Sequence, residues 1–184
     1  MGWASLAVLV VVAGAVAWLF NTLVGKRQMA ENGWSDIDVQ LRRRADLIPQ
    51  LVASVRGYAA HESALFEEIA ERRAAALSAG DDVGARGSRE ARLQGGERRL
   101  LALAEDYPEL KADSAFLDLQ EELSETETKI EMARRFYNGA VRELNTAVES
   151  FPSNLVARAF GFSRRDFFEM DDRDAPAPEV GFGA

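Results

Sequence analysis

The sequence predicts an all-α protein: one N-terminal transmembrane helix followed by an antiparallel four-helix bundle. Three observations predict it. From Met1 to Gly25 no side chain is charged. Beyond that run the apolar residues recur with helical spacing, and no alternating strand pattern or hairpin signal is present. Between Asp113 and Phe151 an apolar residue returns every seven positions, the mark of a coiled-coil-like seam. The expected organisation is an anchor over residues 1–25, a helical bundle over 26–168 and a disordered tail over 169–184.

The anchor is Trp3–Val24, WASLAVLVVVAGAVAWLFNTLV. As a helix it would be about 33 Å long, matching a hydrocarbon core of about 30 Å. Nine Leu, Val or Phe side chains between Leu6 and Phe20 favour insertion by about 3–5 kcal/mol. Trp3 and Trp18 suit the two interfaces. A cleaved signal peptide is the competing reading, since Ala15-Val16-Ala17 resembles a cleavage site. It is disfavoured because no Lys or Arg precedes the apolar run and the run continues past Ala17. Lys26 and Arg27 follow at once. The positive-inside rule then places the short N-terminus outside and the bundle in the cytoplasm of a single-pass inner-membrane protein.

The first soluble helix carries WSDIDVQLRRRADLIPQLV, Trp34 to Val52, with Trp34, Ile37, Leu41 and Ala45 or Ile48 on one face. Pro49 predicts an end or kink near Asp46–Ile48, because an interior proline costs about 3 kcal/mol. Arg42, Arg43 and Arg44 would then lie in a last turn, complementing the helix dipole rather than forming a basic patch. A second helix is expected from Pro49 to Ser78 with Val52, Val55, Ala59, Phe66, Ile69 and Ala76 as its stripe, ended by Gly80-Asp81-Asp82. A third should cover Ser88 to Asp106, burying Leu93, Leu100, Leu103 and Ala104, with a kink or fraying at Gly95-Gly96. The longest should run from Asp113 or Ser114 as N-cap to Pro152 as stop. Its seam is Phe116, Leu123, Ile130, Tyr137, Leu144 and Phe151, with Leu119, Thr126, Ala133, Ala140 and Ala147 between. The small residues of the second set let a neighbouring helix approach closely. Phe160-Gly161-Phe162 and Phe167-Phe168 read as caps on a bundle end, and DDRDAPAPEVGFGA from Asp171 as a disordered tail.

Composition narrows the chemistry. The chain has 184 residues with 30 Asp+Glu against 22 Lys+Arg. That balance argues against nucleic acid as a partner. No cysteine is present, which removes disulfides, thiol catalysis and zinc-cysteine sites. The one histidine, His61, adjoins Glu62, but adjacent helix residues point about 100° apart and cannot readily chelate one ion. Phosphate-loop, nucleophile-elbow and HExxH patterns are missing. No catalytic, cofactor-binding or metal residues are therefore assigned. Arg44, Glu62, Glu127 and Arg134 form the candidate structural polar network, since each falls at or beside an apolar stripe. Asn138 and Asn145, seven apart beside the seam, could cap a partner loop, bind Arg44 or Arg134, or be solvated.

Several segments together resemble the LemA family of bacterial membrane proteins. They are N21-T-L-V, W34-S-D-I-D-V-Q-L-R-R-R-A-D-L-I-P-Q-L-V, R56-G-Y-A-A-H-E62, E105-D-Y-P-E-L-K-A112, F116-L-D-L-Q-E-E-L123, A133-R-R-F-Y-N-G-A-V141 and F151-P-S-N154. Thr128 and Leu144 depart from the pattern, which often has Asn and Tyr there. The resemblance implies a single N-terminal membrane helix, an outside N-terminus and a cytoplasmic bundle. It implies no established biochemical activity. The function expected is a non-enzymatic, membrane-anchored scaffold or adaptor of the cell envelope that contacts lipid through residues 3–24 and binds another envelope protein. The alternative is a self-assembling protein that organises or remodels membrane.

Overall fold

The computed structural model describes residues 2–80 and 82–170. Within them the chain is all-α: α1 (Gly2–Arg56), α2 (Ser63–Leu77), α3 (Val83–Ala104), α4 (Pro108–Lys111), α5 (Ser114–Glu149) and α6 (Ser153–Ala159). The disordered tail expected from Asp171 lies outside the described residues. Two compact units divide the described residues, one of residues 2–44 with 122–168 and the other of residues 45–80 and 82–121 with 169–170. α1 and α5 each contribute to both.

In the first unit, α1 contributes the apolar segment and the buried positions Leu23, Ala30, Ile37, Leu41 and Arg44. From α5 come Leu123, Thr126, Ile130, Tyr137, Ala140, Val141 and Leu144, all buried. The two helices run antiparallel here: Lys26 reaches Glu143, Gly33 meets Phe136 and Tyr137, and Arg44 reaches Glu127. A Cβ on Gly33 would stand 3.0 Å from the Phe136 ring and 3.1 Å from the Tyr137 Cα. Glycine here therefore lets the backbones close. The heptad seam is the buried line of α5 from Phe116 through Leu144, while Phe151 stands 79 % exposed beyond the helix end.

In the second unit, α1 does not stop at Pro49. It continues to Arg56. The physical reason lies on both sides of the proline. Leu47, Ile48, Leu51 and Val55 are all buried, and burying such side chains offsets a local cost of about 3 kcal/mol. A proline also leaves the carbonyl four residues earlier without its helical donor. That carbonyl is Ala45 O, and Arg73 Nε donates to it. The chain turns at residues 57–62 instead, and α2 starts at Ser63 rather than at Pro49. The three arginines consequently sit inside a helix, so the dipole argument does not account for them. Each has its own acceptor: Asp38 for Arg42, Glu122 for Arg43 and Glu127 for Arg44.

α3 begins earlier than Ser88, at Val83, because Asp82 Oδ1 accepts from Ala85 N at 2.8 Å as a side-chain cap. It also passes through Gly95-Gly96 unbroken. A Cβ on Gly96 would lie 3.2 Å from Ile69 Cγ1, so that glycine marks where α3 packs closely on α2. Asp113 caps α5 by accepting from Ala115 N at 2.8 Å.

Candidate functional site

The polar groups of the first unit line the α1–α5 pair. Arg44 is fully buried, and its Nη1 donates to Glu127 Oε1 at 2.7 Å. Glu127 is 27 % exposed, so its carboxylate bridges the buried guanidinium toward the surface. Thr126, the polar member of the small-residue set, is also fully buried and donates to the Glu122 carbonyl at 2.7 Å. Of the four network candidates, the structure joins Arg44 to Glu127. Arg134 is half-buried on α5. Glu62 belongs to the second unit, where it is the N-cap residue of α2, 42 % exposed and 3.7 Å from His61. It does not lie on the α2 stripe, because α2 begins one residue later.

Asn138 and Asn145 have a specific task. Asn145 Oδ1 accepts from Arg165 N and its Nδ2 donates to Arg165 O, both at 2.9 Å. Asn138 does the same for Phe168, accepting at 2.9 Å and donating at 3.1 Å. Each amide thus replaces a strand partner for one residue. The spacing explains why two asparagines suffice: seven helical residues rise about 10.5 Å, and three extended residues span about 10 Å. Between them Tyr137 Oη donates to Asp166 O at 2.9 Å. Phe168 is buried, with its ring 5.5 Å from Trp34, and Trp34 is 5.6 Å from Tyr137. Arg165 reaches across to Glu31 at 2.7 Å. The segment 165–168 is therefore strapped onto α1 and α5. Phe168, expected to cap a bundle end, instead packs along the side of the α1–α5 pair, against Trp34 and beside Asn138.

Two ionisable groups here are perturbed. Burial pushes the Tyr137 phenol above its ordinary value, with Arg165 opposing and Asp166 adding to the rise. The hydrogen bond from Lys26 holds the Glu143 carboxyl below its ordinary value, and the Lys26 charge adds to this. Arg165 and Glu31 were not singled out from sequence. Neither was the Arg86–Glu90 pair of α3, 2.9 Å apart and nearly fully buried. Its i, i+4 spacing among Gly84, Gly87 and Ala85 was the available signal.

Near the apolar N-terminal segment a third set of contacts forms. α6 and the following turn fold back against α1, where Val156 and Ala157 pack with Leu23, and Val16, Leu19, Phe20 and Phe162 flank them. Phe20 meets Phe160 at 4.9 Å and Phe162 at 5.7 Å between ring centroids. Arg27 lies over the Phe162 ring at 5.2 Å.

These groups hold backbone and balance charge. Among the described residues no cluster of three or more His, Cys, Asp or Glu is placed to hold a metal ion.

The model of the LemA family matches residues 33–182. Among curated proteins the chain is similar to Magnetosome protein MamQ 2 of Paramagnetospirillum magneticum, 26 % identical over 175 residues, covering 82 % of this chain and 64 % of that protein. Magnetosome protein MamQ of Magnetospirillum gryphiswaldense is 25 % identical over 183 residues, covering 85 % and 67 %. Protein LemA of Metamycoplasma hominis is 25 % identical over 152 residues, covering 83 % and 69 %. The chain thus spans less than two thirds, 64 %, of the length of the first of these relatives.

Proposed function

The chain belongs to the LemA family, and on that premise we propose that it is a membrane-anchored helical scaffold or adaptor of the cell envelope. In this reading residues 1–25 are the anchor, residues 26–168 form a cytoplasmic bundle, and the bundle binds an envelope protein. One observation carries it. α1 is a single 55-residue helix whose most apolar window has mean hydropathy 2.3 and is 0 % buried by protein. The same helix then becomes a core element at Ala30, Ile37 and Leu41. A helix apolar and uncovered at one end and packed at the other joins bilayer to bundle without a hinge. The charge step at Lys26 and Arg27 supports the cytoplasmic side for the bundle. Three relatives are named magnetosome proteins; for this chain the membrane setting rests on its own apolar segment.

Self-assembly is the second reading. Met132 and Phe136 are one turn apart on α5 and 56 % and 50 % exposed, and such a pair suits helix-to-helix contact between copies. Photo-crosslinking in native membranes tests both. A photoreactive residue at position 132 or 136 should give a reproducible crosslink to a second protein, identified by mass spectrometry. A ladder of self-crosslinks alone would replace the adaptor with the assembly. Crosslinks to neither would remove α5 as the binding face.

A further inference from the structure

We infer that α6 and its flanking turns form a second lipid contact, a foot that dips into the same bilayer leaflet as the end of the α1 span. The inference rests on the reading of α1 as membrane-spanning. Its observation is one of depth. Phe160 and Phe162 hold the Phe20 ring, and Val156 and Ala157 bury Leu23. Phe20 lies within the charge-free run, and the first charged side chain after it is Lys26. The two are six positions apart on the helix, so the Phe20 contact lies about 9 Å below the level of Lys26. Amphipathic helices that lie in a membrane interface bury their apolar face about 5–10 Å into the headgroup–acyl boundary. The depth that α1 imposes on the foot is therefore the depth such elements occupy.

The outer face of the foot has the matching chemistry. Phe151 is 79 %, Leu155 57 % and Phe160 56 % exposed, while the inner face, Val156 and Ala157, is buried on α1. Large apolar groups on the outside of an element seated beside a membrane span are uncovered only if the bilayer is ignored. Arg158, exposed on the same short helix, has a stem long enough to lie along the apolar surface with its guanidinium at the phosphates. Continuity with the α1 span selects lipid as the occupant over a second protein.

The absence of native cysteine allows single-cysteine spin labels. Full-length variants Phe151→Cys, Leu155→Cys and Phe160→Cys would be reconstituted in phosphatidylethanolamine–phosphatidylglycerol vesicles. Leu9→Cys serves as the embedded reference and Glu125→Cys, at an exposed position of α5, as the aqueous one. Power-saturation accessibility to oxygen and to a nickel chelate is then read. The inference expects labels at 155 and 160 to favour oxygen over nickel, as at position 9, with 151 at or inside the boundary. Labels at 155 and 160 that favour nickel, as at 125, overturn the foot while position 9 keeps the span. Labels occluded from both reagents overturn lipid in favour of a protein cover. A nickel-accessible label at position 9 overturns the span and the foot together. All three foot positions are exposed, and retained melting temperature confirms that the substitutions leave the fold intact.

Discussion

Arg73→Met should destabilise this protein only while Pro49 is present. Pro49 has no N–H, so the carbonyl of Ala45 loses the donor that helix geometry would supply. Ala45 is 1 % exposed, and water cannot fill the gap. Arg73 Nε does. Leaving a buried carbonyl unsatisfied costs about 1–3 kcal/mol. The other Arg73 contact adds little, since Asp46 is 3.5 Å away and 74 % exposed. In a Pro49→Ala background, the amide of residue 49 returns to Ala45 O and Arg73 becomes dispensable. Pro49→Ala alone should stabilise α1, by up to about 3 kcal/mol. The assay is urea unfolding in mild detergent, followed by far-ultraviolet circular dichroism, for the wild type, the two single variants and the double variant. The cycle should show a coupling of about 1–2 kcal/mol. If the two changes add to within about 0.5 kcal/mol, Arg73 is not the substitute donor and α1 crosses Pro49 for another reason.

Three further outcomes follow from the first unit. Glu127→Gln, which removes the Glu127 carboxylate from the buried Arg44 guanidinium, should cost about 1.5–3 kcal/mol in the same unfolding assay, and adding Arg44→Met should recover part of that loss. Asn145→Ala removes both bonds to Arg165, should cost about 1–3 kcal/mol, and should make the peptide bonds after Arg164 and Arg165 cut faster by trypsin, read by mass spectrometry. The buried Tyr137 phenol has its folded value raised above 10.0; its contribution is therefore complete below that pH and lost as pH rises through the folded value. As pH rises beyond about 10, melting temperature should fall more steeply in the wild type than in Tyr137→Phe.

Much of this architecture was legible because it rests on periodicity. The residues from Phe116 to Leu144 repeat every seven positions, and all five large members are buried. A seam is a property of the sequence alone. The apolar, charge-free start of α1 was legible from length and charge alone. Pro49 misled because a local rule met a tertiary remedy: Arg73 lies 28 residues from Ala45, and nothing in the local sequence announces it. The same holds for the three arginines. Their charges were visible, but their partners lie 4, 79 and 83 positions away. Asn138 and Asn145 were legible as a pair and not as a strap. Their heptad spacing shows one helix face, but the extended residues Arg165 and Phe168 that fit it carry no periodic signal. Glu62 was misplaced because the α1–α2 break falls at residues 57–62 rather than at the proline.

A membrane-anchored scaffold requires α1 to cross the membrane and the bundle to lie on the cytoplasmic side. Trypsin treatment of sealed vesicles, right-side-out and inverted, followed by an alkaline carbonate wash, tests both points. α3, with its exposed Arg98 and Arg99, should be cut in inverted vesicles and protected in right-side-out ones. A fragment containing residues 3–24 should stay in the washed pellet. Cutting in right-side-out vesicles would reverse the orientation, and release of the chain by carbonate would contradict the membrane span itself.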